Sequence, residues 1–412
     1  MTYVVVGAGE AGIHAALALR ANGYDRGLLV IGAERHAPYT RPPLSKSVLT
    51  SRDPLLPEIR AASDLREKEI DVRLATKVIS IDRERKRILC SDASELRYDK
   101  LILSMGSRAR RLPQAPRDSS RILYLRTFDD ALALRSRFSG SRVALIGGGY
   151  IGLEIAASAA KVGCAVTVIE AAPTLMARVV GPALSAFLSD LHKANGVDVK
   201  VGQPVRAVRE DAEGLAILLA NGEVVNADFA VVGVGAEPRL ELARRAGLEC
   251  ADGVVVDEFG RTSDPSIFAC GDIADHPNRI LGRRLRLESW QNAQQQASAV
   301  GAALAASTSS PYAIVPWFWT DQFDVNMQMI GAPVRWDEEI VRGNMGDKSF
   351  SVVYLDGGVL VGGAAVNRPK EIPPMRSAIE KRLSPPRDLL ADSAKDLASA
   401  IKAAIRRTEN VA

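Results

Sequence analysis

Val4-Val5-Val6-Gly7-Ala8-Gly9-Glu10-Ala11-Gly12-Ile13 stands at the start of this 412-residue chain, and Ala144-Leu145-Ile146-Gly147-Gly148-Gly149-Tyr150-Ile151-Gly152-Leu153 repeats its form at a constant offset of 140 residues. Each stretch reads as an apolar strand, a glycine turn and an alanine-rich helix, spanning Ile13 to Ala21 in the first copy and Leu153 to Val162 in the second. A second apolar strand follows each helix, Gly27 to Ile31 and Ala165 to Ile169, and after it an acidic residue, Glu34 or Glu170. Lys100 to Leu103 before Gly106, and Phe229 to Val232 before Gly233, close the two units. The pattern predicts an α/β chain in which one Rossmann-type βαβ unit is used twice.

The chemistry of a Gly-x-Gly-x-x-Gly loop follows from what each glycine permits. The first makes the tight turn, the second lets backbone approach a pyrophosphate, and the third lets helix and strand pack closely, while the helix N-terminus adds positive partial charge. Gly7, Gly9 and Gly12 fill these places in the first loop, and Gly147, Gly149 and Gly152 in the second, where Tyr150 and Ile151 lie between the last two glycines. Glu34 and Glu170 lie 22 and 18 residues past the third glycine, near the separation of a ribose ligand. A carboxylate accepts hydrogen bonds from ribose hydroxyls and repels a 2′-phosphate, so Glu170 favours NADH over NADPH, with Arg178 near enough to soften the preference. Two dinucleotides are therefore expected.

A third motif, Thr262-Ser263-Asp264-Pro265-Ser266-Ile267-Phe268-Ala269-Cys270-Gly271-Asp272, sets a carboxylate after a short apolar strand and a glycine. With both loops, it resembles the two-dinucleotide flavoproteins of the glutathione-reductase-like superfamily, in which such an aspartate binds the flavin's ribityl chain. The resemblance implies FAD in the first site, NADH in the second, and a flavin domain that resumes after the NAD domain. Disulfide reductases of that superfamily carry a Cys-x-x-x-x-Cys pair early in the chain, whereas the first cysteine here is Cys90. Pro38-Tyr39-Thr40-Arg41-Pro42-Pro43-Leu44-Ser45-Lys46 stands in that region. This segment, Glu288-Ser289-Trp290-Gln291-Asn292-Ala293, Pro316-Trp317-Phe318-Trp319-Thr320-Asp321-Gln322 and Asn367-Arg368-Pro369-Lys370-Glu371 resemble the FAD- and NAD-dependent ferredoxin and rubredoxin reductases of bacterial oxygenase systems.

By that resemblance Lys46 pairs with Glu154 as the catalytic couple, supplying a cation to the reduced flavin. Trp290 and Trp319 lie against the isoalloxazine, and Trp317 or Trp319 lies near the electron exit. Ala11, Arg41, Val78 in Thr76-Lys77-Val78 and Arg126 in Tyr124-Leu125-Arg126-Thr127 join the FAD contacts, and Gly235 joins the NAD loop. Two segments depart from the pattern: Ser104-Met105-Gly106 stands where Ala-Thr-Gly is frequent, and Ile372-Pro373-Pro374 where an aromatic is expected.

Length and composition agree with a large folded enzyme. A chain of this size divides into domains, here read as residues 1–111 with 245–313 for FAD, 112–244 for NAD, and 314–412 as an α+β C-terminal domain. Alternating strands at Phe350 to Leu355 and Val359 to Ala364 make that last domain antiparallel, and Ser384 to Ala412 reads as a terminal helix. No run approaches the roughly 18 apolar residues of a membrane span, and a strand begins at Tyr3, so cytoplasmic residence is expected. Four scattered cysteines and four histidines show no metal-ligand spacing. A net charge of +4 gives nucleic-acid binding little support, while leaving room for a local basic face toward an acidic protein. The leading expectation is an NADH-dependent reductase, monomer or homodimer, of a 2Fe-2S ferredoxin that serves a cytochrome P450 or ring-hydroxylating oxygenase. The ferredoxin would dock near Trp317, Trp319 and the C-terminal domain. Alternatives are a rubredoxin reductase, a reductase of quinones or small radicals, and an apoptosis-inducing-factor-like protein whose association NADH gates.

Overall fold

A computed structural model describes residues 1–116, 118–305 and 310–409, so the end of the terminal helix read from the sequence, at 410–412, lies outside the described residues. The chain packs into two compact units. The first joins Met1–Arg41, Leu56–Arg108 and Ala236–Pro316, and the second joins Pro42–Leu55, Ala109–Gly235 and the chain from Trp317 onward.

The first unit is built on a five-stranded parallel sheet ordered Ile267–Ala269, Lys100–Leu103, Thr2–Val6, Gly27–Ile31, Asp71–Arg73. Val4 and Val5 point to opposite faces of the sheet and are fully buried because an apolar cluster packs on each face. The chain runs outward from Thr2–Val6 in both directions, so the carboxyl end of that strand is the switch point where open α/β sheets leave a crevice. The first glycine loop sits there. Helix Glu10–Ala21 packs against helix Trp290–Ala305, and a Cβ at Gly301 would lie 2.5 Å from the Ala15 carbonyl oxygen. Only glycine allows that crossing.

The second unit repeats the design with the order Asp198–Lys200, Ala165–Ile169, Arg142–Ile146, Phe229–Val232, Ile122–Tyr124, again all parallel. A five-stranded antiparallel sheet follows, ordered Trp317–Gln322, Val325–Gly331, Val359–Val366, Ser349–Asp356, Glu338–Asn344, and helix Ile372–Glu380 packs on it. The α/β class and the α+β C-terminal part agree with the sequence reading.

Two element boundaries differ. The helices after the glycine loops begin at Glu10 and Tyr150, a turn before the apolar runs, because the third glycine lies inside the helix. The terminal stretch forms two helices, Arg387–Ala391 and Leu397–Glu409, instead of one. Arg342 explains the break. Its side chain is fully buried, and its guanidinium donates to the carbonyl oxygens of Leu389 (3.1 Å), Leu390 and Lys395 (2.9 Å). Those acceptors are available only where the helix is interrupted.

Valine at position 301 would force the helix crossing apart, and overpacking of this kind costs typically ~1–3 kcal/mol. Gly301→Val is expected to lower the urea midpoint accordingly. An unchanged midpoint would show that the two helices separate without penalty.

Candidate functional site

In the first loop, Gly7 adopts φ +116°, where a side chain would meet the Ser104 carbonyl oxygen at 2.4 Å, and a Cβ at Gly12 would lie 1.8 Å from the Gly7 carbonyl. Ser104, one of the two departures noted in the sequence, uses its hydroxyl here: Oγ lies 3.0 Å from the carbonyl oxygens of both Val6 and Gly7. A serine therefore fastens the loop to its neighbouring strand. Gly9 is the N-cap of helix Glu10–Ala21, with no side-chain cap, and open space of at least 4 Å stands where its side chain would be.

The second loop repeats each relation. Gly147 has φ +113° against the Gly233 carbonyl at 2.5 Å, a Cβ at Gly152 would lie 2.1 Å from the Gly147 carbonyl, and Gly149 is an N-cap facing open space with no side-chain cap. Uncapped first-turn N–H groups beside a glycine that leaves room for close approach fit a pyrophosphate in both loops. The residues present thus suit two dinucleotides.

The acidic residues differ in their surroundings. Glu170 follows its strand at once, and its carboxylate accepts from the backbone N–H of Gly148 (2.6 Å) and of Ala172 (2.7 Å). The same register after Gly27–Ile31 holds Gly32, so Glu34 stands two residues farther on. Glu34 pairs with Arg41 at 2.8 Å and accepts from the Tyr39 hydroxyl. Burial works against the Arg41 guanidinium, but Tyr39 and Glu34 outweigh it and raise its pKa above the ordinary value.

Elsewhere in the first unit, Asp272 lies in the turn Gly271–Ile273 and accepts from Ser107 Oγ at 3.1 Å. A Cβ at Gly271 would come within 2.8 Å of Ala11 Cβ, so Ala11 and the aspartate's turn are neighbours. Trp290 begins its helix 37% exposed and donates from Nε1 to Thr40 Oγ1 at 3.0 Å. Val78 is buried in a core with Val6 and Ile31, so its side chain is committed to packing.

The second unit brings Lys46 and the strand of Trp319 to one carboxylate. Glu154 is 3% exposed on helix Tyr150–Lys161. Its Oε1 lies 2.8 Å from Lys46 Nζ and 2.7 Å from Thr320 Oγ1, and its Oε2 accepts from Ser45 Oγ at 2.5 Å. The two residues paired from the resemblance, 108 positions apart, are thus in contact. Lys46 Nζ also sits 5.9 Å above the Trp319 ring, within cation–π range. Trp317 and Trp319 stack at 5.3 Å with 21° between their planes, both half-buried. Tyr150 turns its ring edge-on to Phe318 at 4.5 Å and its hydroxyl to Met329 Sδ at 3.3 Å, and burial pushes its phenol well above the ordinary range. Ile151 is exposed beside it. Gly235 has φ +103° and accepts from the Arg110 N–H. Arg126 precedes the capped helix Phe128–Arg135, its own N–H donating to Asp130 at 3.0 Å.

Ser45, Ser107 and Thr320 escaped the sequence reading as individual residues. Each adjoins or lies within one of the sequence motifs, which was the available signal, but a hydroxyl reveals its partner only once the chain is folded. Among the described residues the four cysteines are free, no group of three or more His, Cys, Asp or Glu is placed to hold a metal, and no helix is long and apolar enough to cross a membrane.

Comparison with known proteins covers the chain in two parts. Residues 1–297 match the pyridine nucleotide-disulphide oxidoreductase family, and residues 317–401 match the reductase C-terminal domain. The chain is 42% identical over 394 residues to the ferredoxin–NAD(+) reductase component of the anthranilate 1,2-dioxygenase system of Burkholderia cepacia, covering 95% of this chain and 97% of that one. It is 36% identical over 411 residues to putidaredoxin reductase of Pseudomonas putida, covering 97% of each. Its structure superposes on the reductase of a covalent putidaredoxin reductase–putidaredoxin complex with a TM-score of 0.93, at 36% identity, over 98% of this chain and 99% of that one. With both glycine loops, the paired parallel sheets and the antiparallel C-terminal sheet in place, the chain belongs to the pyridine nucleotide-disulphide oxidoreductases, among the ferredoxin–NAD(+) reductases.

Proposed function

We propose that this protein is an FAD-dependent NADH:ferredoxin oxidoreductase whose electrons pass to a 2Fe-2S ferredoxin serving a cytochrome P450 or a ring-hydroxylating oxygenase. The observation that carries this is the buried Glu154 carboxylate, which ties Lys46 and the Trp319 strand to the helix of the second glycine loop. A cation, an aromatic surface and a nucleotide loop are joined there with no thiol among them.

Residues 1–111 with 245–313 form the FAD-binding domain, 112–244 the NAD-binding domain and 314–412 the C-terminal domain. Gly7, Gly9, Ala11, Gly12, Glu34, Arg41, Val78, Asp272 and Trp290 hold FAD, and Lys46, Arg126 and Trp319 serve the same cofactor. Gly147, Gly149, Tyr150, Ile151, Gly152, Glu170 and Gly235 hold NADH. Bound FAD supplies what no side chain can, taking two electrons together from NADH and giving them up singly. Lys46 contributes positive charge where negative charge develops. Glu154 holds that ammonium in place, with Ser45 and Thr320 orienting the carboxylate. The stacked Trp317 and Trp319 form the face on which the ferredoxin docks, and the protein works in the cytoplasm.

The class is tested by NADH-dependent reduction of cytochrome c with and without purified 2Fe-2S ferredoxins. One ferredoxin should stimulate the rate strongly, and equal rates without any would remove the ferredoxin assignment. Lys46→Ala should slow flavin reduction by NADH about a hundredfold in stopped flow, the scale of losing one fixed electrostatic contact, and wild-type rates would refute its role. Glu170→Ala removes the carboxylate and leaves two backbone N–H groups facing the vacated position. It should shift the NADH to NADPH ratio of kcat/KM toward NADPH by about 10- to 100-fold, corresponding to roughly 1.5–3 kcal/mol for a charged hydrogen bond. An unchanged ratio would place the discrimination elsewhere.

A further inference from the structure

His192 lies in the last turn of helix Pro182–Ala194, outside both glycine loops, and is fully buried. Its Nε2 is 2.9 Å from Gln322 Oε1, Gln322 Nε2 is 3.1 Å from Thr320 Oγ1, and Thr320 Oγ1 is 2.7 Å from Glu154 Oε1, which pairs with Lys46. Gln322 and Thr320 are each 1% exposed, so the connection runs through the interior of the unit. We propose that His192 is a positioning residue for the Lys46–Glu154 pair, acting through Gln322 and Thr320; this rests on the reading that Lys46 acts on the flavin.

The directions of the hydrogen bonds follow from the end of the chain. A carboxylate only accepts, so Thr320 donates its single hydroxyl proton to Glu154 and must accept from Gln322. Gln322 therefore turns its NH₂ to Thr320 and its carbonyl oxygen to His192. His192 must then carry its proton on Nε2, leaving Nδ1 bare, and Nδ1 has no hydrogen-bond partner among the described residues. Burial holds the imidazole below its ordinary pKa, which suits a neutral ring with a fixed tautomer.

The helix keeps the ring in place from its other end. Gly181 N–H donates to the Tyr354 hydroxyl at 2.9 Å, and Ala183 N–H to Glu339 Oε1 at 3.0 Å. Without a donor at position 192 the Gln322 amide is free to turn over and offer its oxygen to Thr320. The Thr320 hydroxyl would then leave Glu154, whose charge would fall more heavily on Lys46 and weaken the field that Lys46 projects.

The FAD-loaded protein is compared with His192→Leu, which removes the donor, and His192→Gln, which places an amide donor at similar reach. His192→Leu should lower the midpoint potential of the bound FAD and slow its reduction by NADH about three- to tenfold, the range of one net hydrogen bond, with NADH affinity unchanged. His192→Gln should restore both, and His192→Leu should add nothing when Lys46→Ala is already present. Nitrogen-15 NMR of histidine-labelled wild-type protein should report the Nε2–H tautomer, a readout that stands even if the leucine variant does not fold. A ring protonated on Nδ1, or an equal loss in the Lys46→Ala background, would overturn the proposal. A silent His192→Leu beside a slowed Lys46→Ala overturns the histidine's role alone, while a silent Lys46→Ala overturns the reading of Lys46 and this proposal with it.

Discussion

A side chain at Gly12 would begin 1.8 Å from the carbonyl oxygen of Gly7, and one at Gly152 would begin 2.1 Å from that of Gly147. This contact of backbone on backbone is what lets each helix start directly off its strand, with its first N–H groups uncapped at the sheet's switch point. Because Gly7 and Gly147 also press on the neighbouring strand, at Ser104 and Gly233, the contact sets where three elements meet in each unit. The nucleotide sites are consequences of the same close approach.

Glu154 organises the second unit in another way. A carboxylate taken out of water needs several donors, and it finds them on segments far apart in the chain: Ser45 and Lys46, then Thr320. That requirement draws the Pro42–Ser45 turn and the Trp317–Gln322 strand onto the helix of the second loop. The aromatic pair that would meet a ferredoxin is thereby tied to the helix that opens the nucleotide loop. Arg342 plays a comparable part farther on, where a buried guanidinium interrupts the terminal helices to obtain its carbonyl acceptors.

The duplicated βαβ pattern, the three central strands of each parallel sheet and the antiparallel character of the C-terminal part were legible along the chain, since each depends on local periodicity or on glycine at one spacing, whereas the three-residue edge strands Asp71–Arg73, Asp198–Lys200 and Ile122–Tyr124 are too short to show a period. The third glycine's place inside the helix was not anticipated in the helix boundaries, because the apolar run that signals a helix starts only after it. Lys46 and Glu154 were paired by resemblance alone. Nothing in their spacing indicates contact, and Lys46 is one of 53 lysines and arginines.

The sequence by itself determined that two dinucleotide loops exist, that an acidic residue, Glu170, directly follows the second strand of the second unit, and that no cysteine pair stands early in the chain. These are matters of which residue stands at which position, and chain order is enough to decide them. The tertiary structure alone decided that Ser45 and Thr320 meet on Glu154 with Gln322 and His192 in line behind Thr320, that Ser104 fastens the first loop, and that Glu34 is held by Arg41 and Tyr39. Hydroxyl, amide and imidazole groups have no fixed partner spacing along a chain; burial forces each to find one, and the fold determines which is in reach.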